Sequence, residues 1–278
     1  MHTLPGTDIR IYNDKIERGR IKYAIFDFDG TVSILREGWE KIMEPVMVES
    51  ICGDHEPTTE IIDEVKRFID ETTGIQTILQ MEGLVKLVKK HGLVPEDKIL
   101  DAKGYKKIYN DRLMVPVNER IAQLESGEKT LQDYTLRGAL DFCKKLYERG
   151  LTMYLASGTD QHDVRNESEK MTAAQYFKGG IYGAIGSVEE YSKDKVIKQI
   201  LRENDLHGSE LVVFGDGPVE IRNAKDNGAI AVGVASDEVV GHGWNEAKIK
   251  RLTNANCDIL IPDFSEGDAL IRYLFDEN

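Results

Sequence analysis

The reading of the chain turns on Ile25-Phe26-Asp27-Phe28-Asp29-Gly30-Thr31, where an apolar run ends in two carboxylates two residues apart and then a glycine. In an extended strand successive side chains alternate faces, so Asp27 and Asp29 point the same way, about 7 Å apart along the strand. Two like charges on one side repel unless something positive stands between them. Asp29-Gly30 also spells a tight hairpin turn, in which both acids would be solvated. What the other apolar runs end in decides between these readings.

Similar β-branched, apolar runs recur: residues 21–28 are followed by 151–156, 181–185, 211–215, 229–235 and 258–261. Most are almost wholly apolar rather than alternating, the pattern of strands buried on both faces of a parallel sheet. Helical spacing fills most of the intervals, with residues 136–149 closed by Gly150, residues 193–203, and residues 219–227 closed by Gly228. A further helix is expected after Ile261. Strand and helix alternating in this way predict βαβ units and a doubly wound α/β sheet. The interval after Thr31 is different. It reads as helices over 37–51, 58–73, 77–90 and from 96 to about 125, punctuated by Gly53, Gly74, Gly92 and Gly127. An all-α domain at residues 35–129, inserted into a core of residues 1–34 and 130–278, is the expected organisation.

At 278 residues, with 41% apolar and 31% charged side chains, the composition is that of an ordinary folded protein of one large domain or two smaller ones. A net charge of −13 disfavours nucleic acid and anionic membranes as partners. It leaves room for an anionic small molecule in a locally positive pocket. Cys52, Cys143 and Cys257 are odd in number and widely spaced, without a CxxC or Cys/His cluster, so neither a disulfide framework nor a zinc site is expected. No run approaches the roughly 18 apolar residues of a membrane span, and the first residues lack the apolar core of a signal peptide. A reduced cytoplasm is the expected setting.

In a doubly wound sheet, ligands bind beyond the carboxyl ends of the strands. The first run ends in Asp27-Phe28-Asp29-Gly30-Thr31 and the second in Ala156-Ser157-Gly158-Thr159-Asp160. The fourth ends in Phe214-Gly215-Asp216-Gly217-Pro218-Val219-Glu220, and Tyr191-Ser192-Lys193-Asp194-Lys195 opens the helix before it. Clustered carboxylate oxygens suit a hard cation such as Mg²⁺, which prefers one or two carboxylates, water and substrate phosphate. A serine hydroxyl, backbone N–H groups and a lysine can neutralise the remaining phosphoryl oxygens, and a carboxylate is a competent nucleophile towards phosphorus.

As a set, DFDGT, LASGT, a helix-opening lysine and FGDGPVE, in that order, resemble the four motifs of the haloacid dehalogenase-like hydrolase superfamily. The resemblance covers about residues 20–35 and 130–278, and the helical insertion resembles that superfamily's helical cap. It implies a Rossmann-like core with Asp27 as nucleophile and Mg²⁺ ligand, and Asp29 as general acid/base whose backbone carbonyl also reaches the metal. Thr31, Ser157, the Gly158 backbone and a lysine would hold the phosphoryl group, and Asp216 would bind Mg²⁺. The lysine is Lys195 by its place in the helix, with Lys193 the second choice. Glu220 stands where the superfamily commonly has aspartate; it keeps the charge on a longer arm, for the metal or only for the helix dipole. Asp29 favours phosphate esters over dehalogenation or phosphonate cleavage.

The expected activity is hydrolysis of a small phosphomonoester. A hexose phosphate phosphomutase using the same residues is the alternative, and a non-catalytic binding module a more distant one. Arg36 and Trp39, at the crossing into the insertion, are candidates for contact with the leaving group. The glycine-rich stretch at residues 179–186 does not spell GxGxxG and reads as structural turns. His55, His91, His162 and His242 show no ligand spacing.

Overall fold

The computed structural model describes residues 1–185 and 192–277. Its strands are β1 (His2–Thr3), β2 (Arg10–Ile11), β3 (Tyr23–Phe26), β4 (Thr152–Asp160), β5 (Gly180–Ala184), β6 (Leu211–Gly215), β7 (Ile230–Val234) and β8 (Ile259–Ile261). They form one eight-stranded sheet in the order β1-β2-β8-β7-β6-β3-β4-β5. From β8 to β5 every pairing is parallel. The parallel part starts at the centre with β3, lays β4 and β5 to one side, then crosses to β6, β7 and β8 on the other. The order of strands therefore reverses beside β3, where an open α/β sheet leaves a crevice at its carboxyl edge.

Side-chain alternation explains why the runs are apolar throughout. Ala24, Phe26, Val212, Phe214 and Val232 enter one core cluster, whereas Ile25, Leu211, Val213 and Ala231 enter the other. On the first face pack α5 (Ala139–Glu148), α6 (Gln161–Lys170) and α10 (Gly267–Leu274), through residues such as Phe142, Val164 and Leu270. The second is covered by α7 (Lys193–Glu203), α8 (Pro218–Asp226) and α9 (Glu246–Asn254). Directly under the carboxyl edge, Phe26 stacks on Phe214 with ring centroids 4.5 Å apart, and Phe142 meets Phe214 edge-on at 5.3 Å. Each buried ring contributes about 1.5–3 kcal/mol, so the platform below the edge is rigid.

Between β3 and β4 stand α1 (Trp39–Cys52), α2 (Thr59–Glu71), α3 (Thr77–His91) and α4 (Ala102–Ser126), packed on one another. In α4 the buried residues Tyr105, Tyr109, Leu113, Val117 and Ile121 recur every fourth position and form one stripe. That helix begins later than the pattern from residue 96 suggests. A 3₁₀ turn occupies Glu96–Lys98, and the Asp101 carboxylate caps the helix by accepting the Gly104 N–H at 2.8 Å.

Residues 1–20 supply β1 and β2; β2 pairs antiparallel with β8 and β1 with β2, which covers that edge of the sheet. Gly179, Gly180 and Gly183 lie at or in β5, and Gly186 and Tyr191 lie outside the described residues. Cys52, Cys143 and Cys257 are buried and unpaired. Among the described residues no helix is long and apolar enough to cross a membrane.

Candidate active site

Register brings the motifs together. Phe26 is level with Leu155 of β4 and with Phe214 of β6, so Asp27, Ser157 and Asp216 all emerge just beyond one line across the sheet. The Asp27 N–H adds one more rung, donating to the Phe214 carbonyl at 2.9 Å. No hairpin follows. The Val32 and Ser33 N–H groups both donate to the Phe28 carbonyl at 2.9 Å, folding a compact loop that leads the chain towards α1.

Asp27 is 6% exposed. Its Oδ1 accepts the Phe28 N–H at 2.8 Å, and its Oδ2 accepts from Lys193 Nζ at 2.8 Å. Lys193 also donates to Glu220 Oε2 at 3.1 Å. One carboxylate oxygen each from Asp27, Asp216 and Glu220 lies within 4.8 Å of the others. Burial pushes the Asp27 carboxyl well above the usual range; Lys193 opposes this, and the charges of Glu220 and Asp216 add to it. Three buried carboxylates thus gather at one point, and the Lys193 ammonium reaches two of them. An all-oxygen donor set with surplus negative charge fits a hard divalent cation.

The lysine that reaches the acids is Lys193, and not Lys195. The buried residues of α7 are Lys193, Val196, Ile197 and Ile200, a single stripe spaced three and four apart. Lys193 continues that stripe into the site. Lys195 lies off it, exposed, with its backbone N–H donating to the capping Ser192 hydroxyl at 3.2 Å.

Both readings of Glu220 meet in one side chain. Its Oε1 accepts the Gly217 N–H at 2.6 Å, helping to start α8 behind Pro218, while Oε2 faces Lys193. Asp216 has a partner that the motifs do not reveal. Lys248 on α9, 5% exposed, donates to Asp216 Oδ2 at 2.7 Å and to Glu238 Oε1 at 2.6 Å. Burial works against the Lys248 charge, but Asp216 and Glu238 outweigh it and raise its pKa. Lys248→Met is expected to cost about 3–5 kcal/mol of stability by stranding two buried carboxylates. Urea denaturation would measure the loss, and adding Glu238→Gln should restore part of it.

Asp29 is set apart from this cluster. Its Oδ2 accepts from the Thr159 hydroxyl at 2.8 Å and the Ser157 hydroxyl at 3.2 Å. Thr159 was not among the expected residues, although it belongs to the quoted LASGT. Thr31, expected at the phosphate, is fully buried and absent from the cavity wall. The loop that turns the chain after Asp29 folds its side chain inwards.

The helical insertion closes over the edge. The α2–α3 connection descends so far that a Cβ on Gly158 would stand 2.7 Å from the Ile75 carbonyl oxygen. A Cβ on Gly74, at φ +90°, would lie 2.9 Å from Glu220 Oε2. Only glycines allow the two backbones to approach like this. Arg251 Nη1 ties the same connection to α9 through Asp70 Oδ1 at 3.1 Å and the Thr73 hydroxyl at 3.3 Å. Between them lies a cavity of about 80 Å³, open to solvent on one side and lined by Asp27, Asp29, Ser157, Gly158, Lys193 and Asp216 below and by Trp39, Gln80, Tyr109 and Leu113 above. Arg36 also borders it, with its guanidinium held by Glu167.

Solved structures share this architecture. A β-phosphoglucomutase from Clostridium difficile superposes with a TM-score of 0.62 at 13% identity, covering 92% of this chain and 97% of that one. A predicted phosphoglycolate phosphatase from Haemophilus somnus gives 0.60 at 13% identity, covering 91% and 98%. For a predicted phosphatase from Clostridium acetobutylicum the values are 0.58, 14%, 91% and 99%. At such identities the likeness is one of fold. No curated protein matches the chain significantly. A model of the haloacid dehalogenase-like hydrolase family matches residues 21–228, more than half of the chain and the whole run from Asp27 to Glu220. The match and the convergence of these motifs on one sheet edge agree: the chain belongs to the haloacid dehalogenase-like hydrolase family.

Proposed function

We propose that the protein is a Mg²⁺-dependent phosphatase of a small phosphomonoester, acting through a phosphorylated Asp27. The observation behind this reading is the buried cluster of Asp27, Asp216 and Glu220 beside Lys193, with Asp29 held apart by hydroxyl groups. A phosphatase needs one carboxylate to attack and another to move protons, and the site holds two carboxylates on different partners. The core would be residues 1–34 and 130–278, with residues 35–129 as its cap. The unpaired cysteines suit a reducing compartment, and we place the protein in the cytoplasm.

The Asp27 carboxylate attacks phosphorus, forming an acyl phosphate as the ester P–O bond breaks. Asp29 gives its proton to the departing oxygen. Ionised, it then takes a proton from water, whose oxygen attacks phosphorus and releases Asp27 and inorganic phosphate. Lys193 and the Ser157 hydroxyl meet the charge on the transferring oxygens, where preorganised donors are most effective. Bound Mg²⁺, held by Asp27, Asp216 and Glu220, would supply the additional positive charge that phosphoryl transfer requires. The cap would exclude bulk water.

Phosphate release from a panel of sugar phosphates, nucleotides and an aryl phosphate, with Mg²⁺ and with EDTA, tests the reading. Metal-dependent release is expected, and Asp29→Asn should slow it by about 10²–10⁴ with the fold intact. A mutase would return an isomeric sugar phosphate instead of inorganic phosphate. A binding module would release nothing, and its ligand affinity would survive Asp29→Asn.

A further inference from the structure

The wall around the leaving group says more than the motifs do. Among the described residues only two cations border the cavity, Lys193 and Arg36. Residues 186–191, outside the described residues, contain no lysine or arginine. Lys193 is engaged by Asp27 and Glu220.

Arg36 is engaged too. Its Nε lies 3.0 Å from Glu167 Oε2 and 3.2 Å from Oε1, and its Nη2 lies 2.6 Å from Oε1. Asp163 Oδ2 stands 3.5 Å from the same Nη2, and Asp29 Oδ1 is 3.8 Å from Nε. The Arg36 side chain is 9% exposed and that of Glu167 1%. A bidentate guanidinium–carboxylate pair is among the strongest charge-assisted contacts. With three carboxylates around one guanidinium, nothing positive remains to greet a second anion.

The rest of the upper wall is neutral: Trp39, Thr77, Gln80, Tyr109 and Leu113, with the Ile75 backbone. Such surfaces hold a carbon skeleton and hydroxyl groups.

We propose that the organic part of the substrate is uncharged, a polyol or sugar, and that Glu167 and Asp163 around Arg36 reject leaving groups bearing a carboxylate or second phosphate. This rests on the phosphatase reading above and deepens it. Arg36 is then a positioning residue behind Asp29, and not a clamp on the leaving group.

The test is kcat/KM of the full chain with Mg²⁺ on glycerol phosphate, phosphoglycerate, a hexose bisphosphate and an aryl phosphate. Glycerol phosphate is expected to be preferred over the two anionic esters by about tenfold or more, the effect of about 1.4 kcal/mol of repulsion. In Glu167→Gln, which frees Arg36, that preference should shrink by a similar factor, through KM of the anionic esters. Equal or faster turnover of phosphoglycerate or the bisphosphate by the wild type, with the aryl phosphate also hydrolysed, overturns this inference and leaves the phosphatase reading standing. No release from any ester sinks the phosphatase reading itself. If Glu167→Gln does not fold, the wild-type ratios decide alone.

Discussion

Replacing Asp27 with asparagine is expected to abolish phosphate release and, in the same molecule, to stabilise the metal-free protein. The catalytic loss follows from chemistry, since an amide oxygen does not replace the carboxylate as nucleophile, and a fall of at least about 10⁴ in turnover is expected for such a group. The stability gain follows from burial. Desolvation is the largest influence on Asp27, Glu220 and Asp216 add repulsion, and Lys193 offsets only part of this. The folded state therefore holds the Asp27 proton more tightly than the unfolded chain does.

The sign follows directly. Below about pH 4, the ordinary aspartate range, Asp27 is protonated in both states and the two proteins should be equally stable on this account. As pH rises through the elevated folded-state value, the wild type loses stability that Asp27→Asn keeps. At neutral pH without metal, the variant should melt higher, by about 2–4 °C for each kcal/mol gained. Saturating Mg²⁺ should narrow the gap by stabilising the wild type more. Thermal unfolding with EDTA and with Mg²⁺ at several pH values measures all of this. A variant that melts lower at neutral pH without metal would contradict the picture of an under-neutralised cluster.

The second large effect separates two lysines two residues apart on one helix. Lys193→Met should lower kcat by about 10²–10³, the scale of losing one preorganised charge from a phosphoryl site. It should also destabilise the metal-free fold by about 3–5 kcal/mol, because Asp27 and Glu220 lose their buried counter-charge. Lys195→Met should leave turnover unchanged and stability within about 0.5 kcal/mol, as for most exposed substitutions. Should Lys195→Met instead lose turnover while Lys193→Met keeps it, the assignment based on the buried stripe of α7 is wrong.

That stripe was legible beforehand. Val196, Ile197 and Ile200 share a face with position 193 and not with 195, so helical phase alone distinguishes the lysines. Distance from the start of the helix favours Lys195, whereas helical phase favours Lys193. The Asp27-to-Thr31 loop was legible for the opposite reason. Its neighbours along the chain, an apolar strand before and a turn after, force both aspartates to the end of β3. Thr31 shows where such local reading stops, because the fold of the loop, and not its composition, turned that side chain inwards.

Taken by itself, the sequence determined the class of fold, the helical insertion and the acids at the strand ends. Each of these depends on spacing along the chain: apolar runs long enough for buried strands, helical periods between them, and carboxylates placed where a strand must stop. Tertiary structure alone decided the pairings: Lys248 with Asp216, Glu167 with Arg36, Thr159 with Asp29, and Ile75 over Gly158. Those contacts join elements far apart in sequence, and their energies depend on distances of a few ångströms in a desolvated site. Such distances exist only once the sheet, its register and the helical insertion have brought the elements together.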